Sequence, residues 1–166
     1  MLADEKHSDL QAALDGAQFA VFDLLSESSP LAAELNAAGK LGGYFCLANS
    51  KGFPLLIASC GNPDEEKLER YLAFCQEKAR RLGSHPEHTF SLQSRDEEKD
   101  HYGGAVRAGD HIASFSGFPE RLDEVVAVLA LYWLDAVEFE EIRPLLAGNP
   151  YLELLTDEYL KHLCGL

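Results

Sequence analysis

The sequence predicts an α+β fold: a mostly antiparallel five-stranded sheet with helices packed on it and extra helices at both ends. Three observations predict it. Two pairs of short, apolar, aromatic-containing runs are each joined by a glycine-containing turn, the mark of a hairpin. One helix-period segment lies between the pairs, so they meet through a crossover; strands do not alternate with helices as a doubly wound parallel sheet requires. The other helical segments lie before the first pair and after the second. A chain of 166 residues and 18.3 kDa has the size of one domain. It divides into N-terminal helices at 1–40, a core at 43–136 and a helical tail at 138–166.

Residues 8–27 carry Leu10, Leu14, Ala17, Val21, Leu24 and Leu25 at helical spacing, with Ser8 and Gln11 placed as a capping box. Pro30 opens a second short helix at 31–38, which Gly39 ends. Residues 43–49 and 53–59 read as strands around the turn Asn49-Ser50-Lys51-Gly52, with Pro54 pointing to an edge or a strand end. Asn62 and Pro63 suit the N-cap and first position of a helix, and Asp64, Glu65 and Glu66 favour its positive end. Its buried stripe is Leu68, Tyr71, Leu72, Cys75, Ala79 and Leu82, and Gly83 stops it.

Residues 89–94 alternate with period two and read as a third strand. Residues 102–107 and 111–116 flank Ala108-Gly109-Asp110 as a second hairpin. A long helix at 119–136 turns Leu122, Val125, Val126, Leu129, Ala130 and Trp133 inward. The tail is two or three short helices punctuated by Pro144, Gly148-Asn149-Pro150 and Thr156; its many leucines must be covered by the sheet or by another subunit. The whole order matches a profilin/PAS-like architecture.

Composition narrows the function classes. An apolar fraction of 46% and a charged fraction of 25% are globular and exclude bulk disorder, collagen and coiled-coil rods. Fourteen Lys and Arg against 28 Asp and Glu give a net charge of −14, a field that repels phosphate backbones and anionic lipid. Neither nucleic acid nor membrane is therefore expected as a partner. No run approaches the ~20 apolar residues that span a bilayer, and the first six residues lack a basic region followed by an apolar one, so no secretory signal is expected. Cys46, Cys60, Cys75 and Cys164 show no metal-ligand spacing and read as reduced, buried small hydrophobes, which places the chain in the cytoplasm.

Two segments carry candidate chemistry. Ser114-Phe115-Ser116-Gly117 ends a strand and enters a helix, so backbone N–H groups gather at a helix N-terminus, a ready corner for a carboxylate. It matches no nucleophile motif, and Ser116 equally serves to bond the backbone there. Asp100-His101-Tyr102-Gly103-Gly104 puts two glycines at a strand entry, as where something approaches the backbone closely. His101 suits a metal or haem ligand, a general base, or a solvated loop histidine. His85-Pro86-Glu87-His88 is broken by proline and lacks a third ligand, so no metal site is expected. The runs at 64–66, 96–98 and 138–141 read as solvated faces or helix starts.

From Gly43 to about Leu131 the chain resembles the GlcG/HbpS-like family, the haem-degrading domain. The resemblance rests on Asn49-Ser50-Lys51-Gly52-Phe53-Pro54, Glu77-Lys78-Ala79, His101-Tyr102-Gly103-Gly104, and Ser114-Phe115-Ser116-Gly117 followed by Glu120 and Asp123-Glu124. Where that family follows Gly-Gly with a residue and proline, this chain has Ala105-Val106. The resemblance implies a profilin-like sheet, a homo-oligomer (dimer or larger), and a pocket for haem or another small organic molecule. In that pocket His101 would ligate iron or hydrogen-bond the ligand beside Tyr102, Gly103 and Gly104. Ser116 and the Gly117 amide, next to Ser114, would hold a carboxylate, and Lys78 or Arg107 would neutralise it. Three functions stand beside one another: a small-ligand-binding protein, an oligomerisation or interaction module using the apolar tail, and an enzyme with His101 as base.

Overall fold

A computed structural model describes residues 2–166, with side chains from Ser8 onward. Helix α1 (Leu2–Leu24) buries Ala13, Ala17, Ala20, Val21 and Leu24 completely, the stripe its periodicity requires. Ser8 lies inside this helix and caps nothing, because the helix begins earlier than the apolar stripe. The chain breaks at Ser26, whose hydroxyl donates to Asp23 O (2.7 Å), and at Ser29, whose hydroxyl accepts from Leu31 N (3.1 Å). Helix α2 (Ala32–Ala37) follows.

Strands β1 (Gly42–Asn49) and β2 (Pro54–Gly61) form the first hairpin. Helix α3 (Leu68–Gly83) comes next, preceded by one 3₁₀ turn, Glu65–Lys67. Asn62 is not its cap. Asn62 N extends the hairpin by donating to Leu41 O (2.9 Å), and Asp64 caps instead by accepting from Glu66 N (3.1 Å). Strands β3 (Ala105–Ala108) and β4 (His111–Ser116) form the second hairpin. Helices α4 (Glu120–Trp133), α5 (Phe139–Leu145) and α6 (Asp157–Leu163) complete the chain, α6 starting on the Thr156 hydroxyl as its sequence predicts.

The sheet has four strands in the order β2-β1-β4-β3, all antiparallel, and not five. The missing strand is 89–94. The Gln93 side chain accepts from both Thr89 N (2.8 Å) and Phe90 N (2.9 Å), which curls Ser91–Ser94 into a 3₁₀ turn. The buried Arg81 guanidinium then takes Ser91 O (2.6 Å) and the Ser94 hydroxyl (2.6 Å). One isolated bridge, Phe90 to Val106, is all the sheet pairing this segment makes.

Side chains alternate across the sheet and divide the core in two. Phe45, Leu47, Val106, Ala113 and Phe115 face α1 and α4. Cys46, Ala48, Ala105 and Ile112 face Cys75, Ala79 and Leu82 of α3. Helix α4 is buried from Leu122 through Leu131, because the tail covers the flank that the sheet and α1 leave open. Ile142, Leu146, Leu155, Leu160 and Leu163 are sealed in this core, and Trp133 Nε1 donates to Leu163 O (3.1 Å). The tail leucines therefore cover their own chain.

Candidate functional site

Where β4 runs into α4, a cleft of about 370 Å³ opens between α3, the 95–102 segment and the start of α4. Its floor is an ion pair. Lys78 on the buried side of α3 donates to Asp123 Oδ2 (3.0 Å) and to Phe115 O (2.8 Å), while Asp123 Oδ1 accepts from Phe118 N (2.9 Å). Both side chains are about 2% exposed. Burial pushes the Asp123 carboxyl up to about 6, against the pull of the Lys78 ammonium and the Phe118 amide. Asp123 therefore titrates closer to neutrality than an ordinary aspartate.

Two glycines make room for this floor. Gly104 has φ +122°, and a Cβ there would lie 2.7 Å from Lys78 Nζ and 2.8 Å from Asp123 Cβ. Gly117 has φ +154°, and a Cβ there would lie 2.3 Å from Gly42 O, so β4 could not cross the start of β1 so closely.

The walls are cationic and aromatic. Lys40 Nζ stands over the Tyr71 ring (5.8 Å), the Arg70 guanidinium over Phe74 (5.2 Å), and the Arg95 guanidinium over Tyr102 (5.7 Å). Phe74 and Tyr102 meet edge to face at 5.6 Å. With Lys67 and Lys78, five of the chain's 14 Lys and Arg residues line this one cleft, against two of its 28 acids. Those two acids are already engaged: Asp123 with Lys78, and Glu120 with Arg95 Nε (2.7 Å) and Gly103 N (2.9 Å). Among the described residues, no carboxylate forms an ion pair with Lys40, Lys67 or Arg70. A strongly acidic protein therefore concentrates positive charge in one concavity.

Of the residues expected to form a site, Lys78, Tyr102, Ser116 and Gly117 line this cleft. Gly103 and Gly104 lie behind it, where Lys78 and Glu120 occupy the space and the amide that a ligand would need. His101 pairs its backbone with Asp96 and lines a different, shallow depression with Arg80, Ser94 and Lys99. Arg107 is a strut: its guanidinium donates to Ser50 O (2.8 Å), His88 O (3.1 Å) and Leu82 O (2.6 Å). Ser114 is fully buried on the α3 face, opposite Cys46, and its hydroxyl has no partner among the described residues.

The sequence reading missed Lys40, Lys67, Arg70, Phe74 and Arg95. Arg70 and Phe74 share one face of α3 at i, i+4 spacing, the one local signal that pointed to them. Arg81 was also missed as a buried residue. It donates to Tyr102 O (2.6 Å) and so fixes the backbone that carries the Tyr102 ring.

The lining does not fit haem. It holds no His, Cys or Met, Tyr71 lies beneath Lys40, and the Tyr102 hydroxyl donates to Asp100 (3.2 Å). No cluster of three metal-ligating side chains occurs among the described residues, and no described helix is long and apolar enough to cross a membrane. All four cysteine thiols are buried and in no disulfide, and burial raises each pKa, which suppresses the reactive thiolate.

No family model matches the chain, and no curated protein matches it. Among solved structures, the crystal structure of Klebsiella pneumoniae protein ORFY, described by the family model DUF336, is similar with a TM-score of 0.48 and 19% sequence identity, over 76% of this chain and 90% of that one. DUF336 is the GlcG/HbpS-like family that the sequence resembles.

Proposed function

We propose that the protein binds a small organic anion in the cleft between α3 and the start of α4. The convergence of five cations on one concavity, in a chain of net charge −14, carries this reading. Non-specific attraction cannot explain it, since the surface as a whole repels anions. A volume of about 370 Å³ suits a small molecule and lies toward the lower end of the roughly 300–1,000 Å³ typical of ligand sites. Lys40, Lys67 and Arg70 supply charge at the mouth. Lys78, with two of its three N–H donors engaged, supplies charge at the floor.

Calorimetric titration with a dicarboxylate series (succinate, cyclohexane-1,4-dicarboxylate, naphthalene-2,6-dicarboxylate) tests it. At least one member binds, more weakly as salt rises, and more weakly to the Lys67→Gln/Arg70→Gln variant. Absence of binding by every member at low salt and millimolar concentration overturns the reading.

A further inference from the structure

Resting on that reading, we infer that the anion this cleft selects is planar and aromatic, with its ring against the Phe74–Tyr102 wall and its charged groups toward the lysines. The wall runs Arg70, Phe74, Tyr102, Arg95: a guanidinium at 5.2 Å, two rings edge to face at 5.6 Å, and a second guanidinium at 5.7 Å. A site for an aliphatic or inorganic anion needs donors and charge alone, and aromatic rings in its wall add nothing to the recognition of charge. Here every cation but Lys67 and Lys78 stands over a ring. Guanidinium planes and aromatic rings both stack on conjugated π-systems. Both Phe74 and Tyr102 keep part of their surface exposed at the cleft, so a ligand ring can reach them. Tyr102 is held there from behind by Arg81.

Aromatic carboxylates and nucleoside monophosphates share this chemistry, a flat ring carrying one or two negative groups. The experiment compares naphthalene-2,6-dicarboxylate with decalin-2,6-dicarboxylate, which has the same charge and reach without a π-face, and adds adenosine monophosphate as a phosphate-bearing arm. The aromatic diacid binds about tenfold tighter than the saturated one. Phe74→Leu and Tyr102→Leu, whose folding is checked by thermal melting, bring the affinities of the two diacids to within about twofold of each other. Equal affinity for the two diacids, or a ratio that survives both variants, overturns the aromatic preference and leaves anion binding standing. No binding of either diacid overturns both. Tighter binding of adenosine monophosphate assigns the anionic group as phosphate; tighter binding of the diacid assigns it as carboxylate.

Discussion

Lys78 and Asp123 meet 3.0 Å apart beneath the cleft, each almost wholly removed from solvent, one from the middle of α3 and the other from the first turn of α4. They tie the helix on one face of the sheet to the helix on the other, through a gap that the absent Cβ of Gly104 leaves open. A buried pair of this kind adds little net stability against an apolar replacement, yet breaking it leaves a charge buried alone. Lys78→Met should therefore cost about 3–5 kcal/mol. The double variant Lys78→Met/Asp123→Leu should recover most of that loss. Urea unfolding of the three proteins measures it, and a double variant no better than the single would show that the pair itself, and not its breakage, carries the stability.

Gly104→Ala should be far more damaging than Gly109→Ala. At Gly104 the new methyl meets Lys78 Nζ and Asp123 Cβ in a left-handed backbone; at Gly109 the backbone is also left-handed (φ +55°) but nothing lies within 4 Å. Left-handed strain alone costs about 1–2 kcal/mol, and overpacking adds about 1–3 kcal/mol. The expected penalties are about 3 kcal/mol at Gly104 and about 1 kcal/mol at Gly109, read from denaturation midpoints. Equal penalties would mean that the close packing around the ion pair is not real.

Anion affinity should rise as pH falls from 7 to 5. Asp123 titrates at about 6 because burial raises it, so protonation in this range removes one negative charge from the cleft floor. No histidine lines the cleft, and a carboxylate ligand with an ordinary pKa near 4 stays ionised at pH 5. By linkage, bound anion must raise the Asp123 pKa further. The sign for stability runs the same way: the folded state holds this proton more tightly than the unfolded chain. This residue's contribution is therefore fully present below about pH 4 and is lost as pH rises through about 6. Carbon-13 NMR of the Asp123 carboxyl, with and without ligand, measures both effects; a carboxyl that titrates near 4 would refute them.

The tail is a structural cover, and single substitutions separate its inner from its outer leucines. Leu155 is fully buried and Leu154 is 47% exposed, one residue away. Leu155→Ala should cost about 2–5 kcal/mol, and Leu154→Ala about 0.5 kcal/mol or less. Urea midpoints decide it; the reverse order would mean that the tail packs elsewhere, for instance on a second subunit.

The hairpins, the crossover helix and the long helix before the tail were legible in the sequence because turn glycines and apolar periodicity are local signals. Residues 89–94 were not. Their period-two pattern is genuine, but Gln93 turns back on the Thr89 and Phe90 amides and Arg81 pulls the carbonyls round, and neither interaction leaves a mark in the alternation. Asn62 failed as a cap because the helical turn starts later, at Glu65, where Asp64 accepts from Glu66 N. At the site, Lys78, Tyr102, Ser116 and Gly117 were named, while His101 and Arg107 were grouped with them through the family resemblance and lie elsewhere. Which face of the sheet each loop reaches depends on strand order, and the four remaining cations and Phe74 come together only once that order is fixed.

Amide chemical-shift mapping on the full chain, titrated with naphthalene-2,6-dicarboxylate at low salt, reports where an anion goes without assuming an activity. The largest shifts should fall on residues 67–78, on Tyr102 and on residues 116–120, saturating together with one affinity. Shifts centred on His101 and the 94–99 segment, or no saturable shift anywhere, would show that the cationic cleft is not a ligand site.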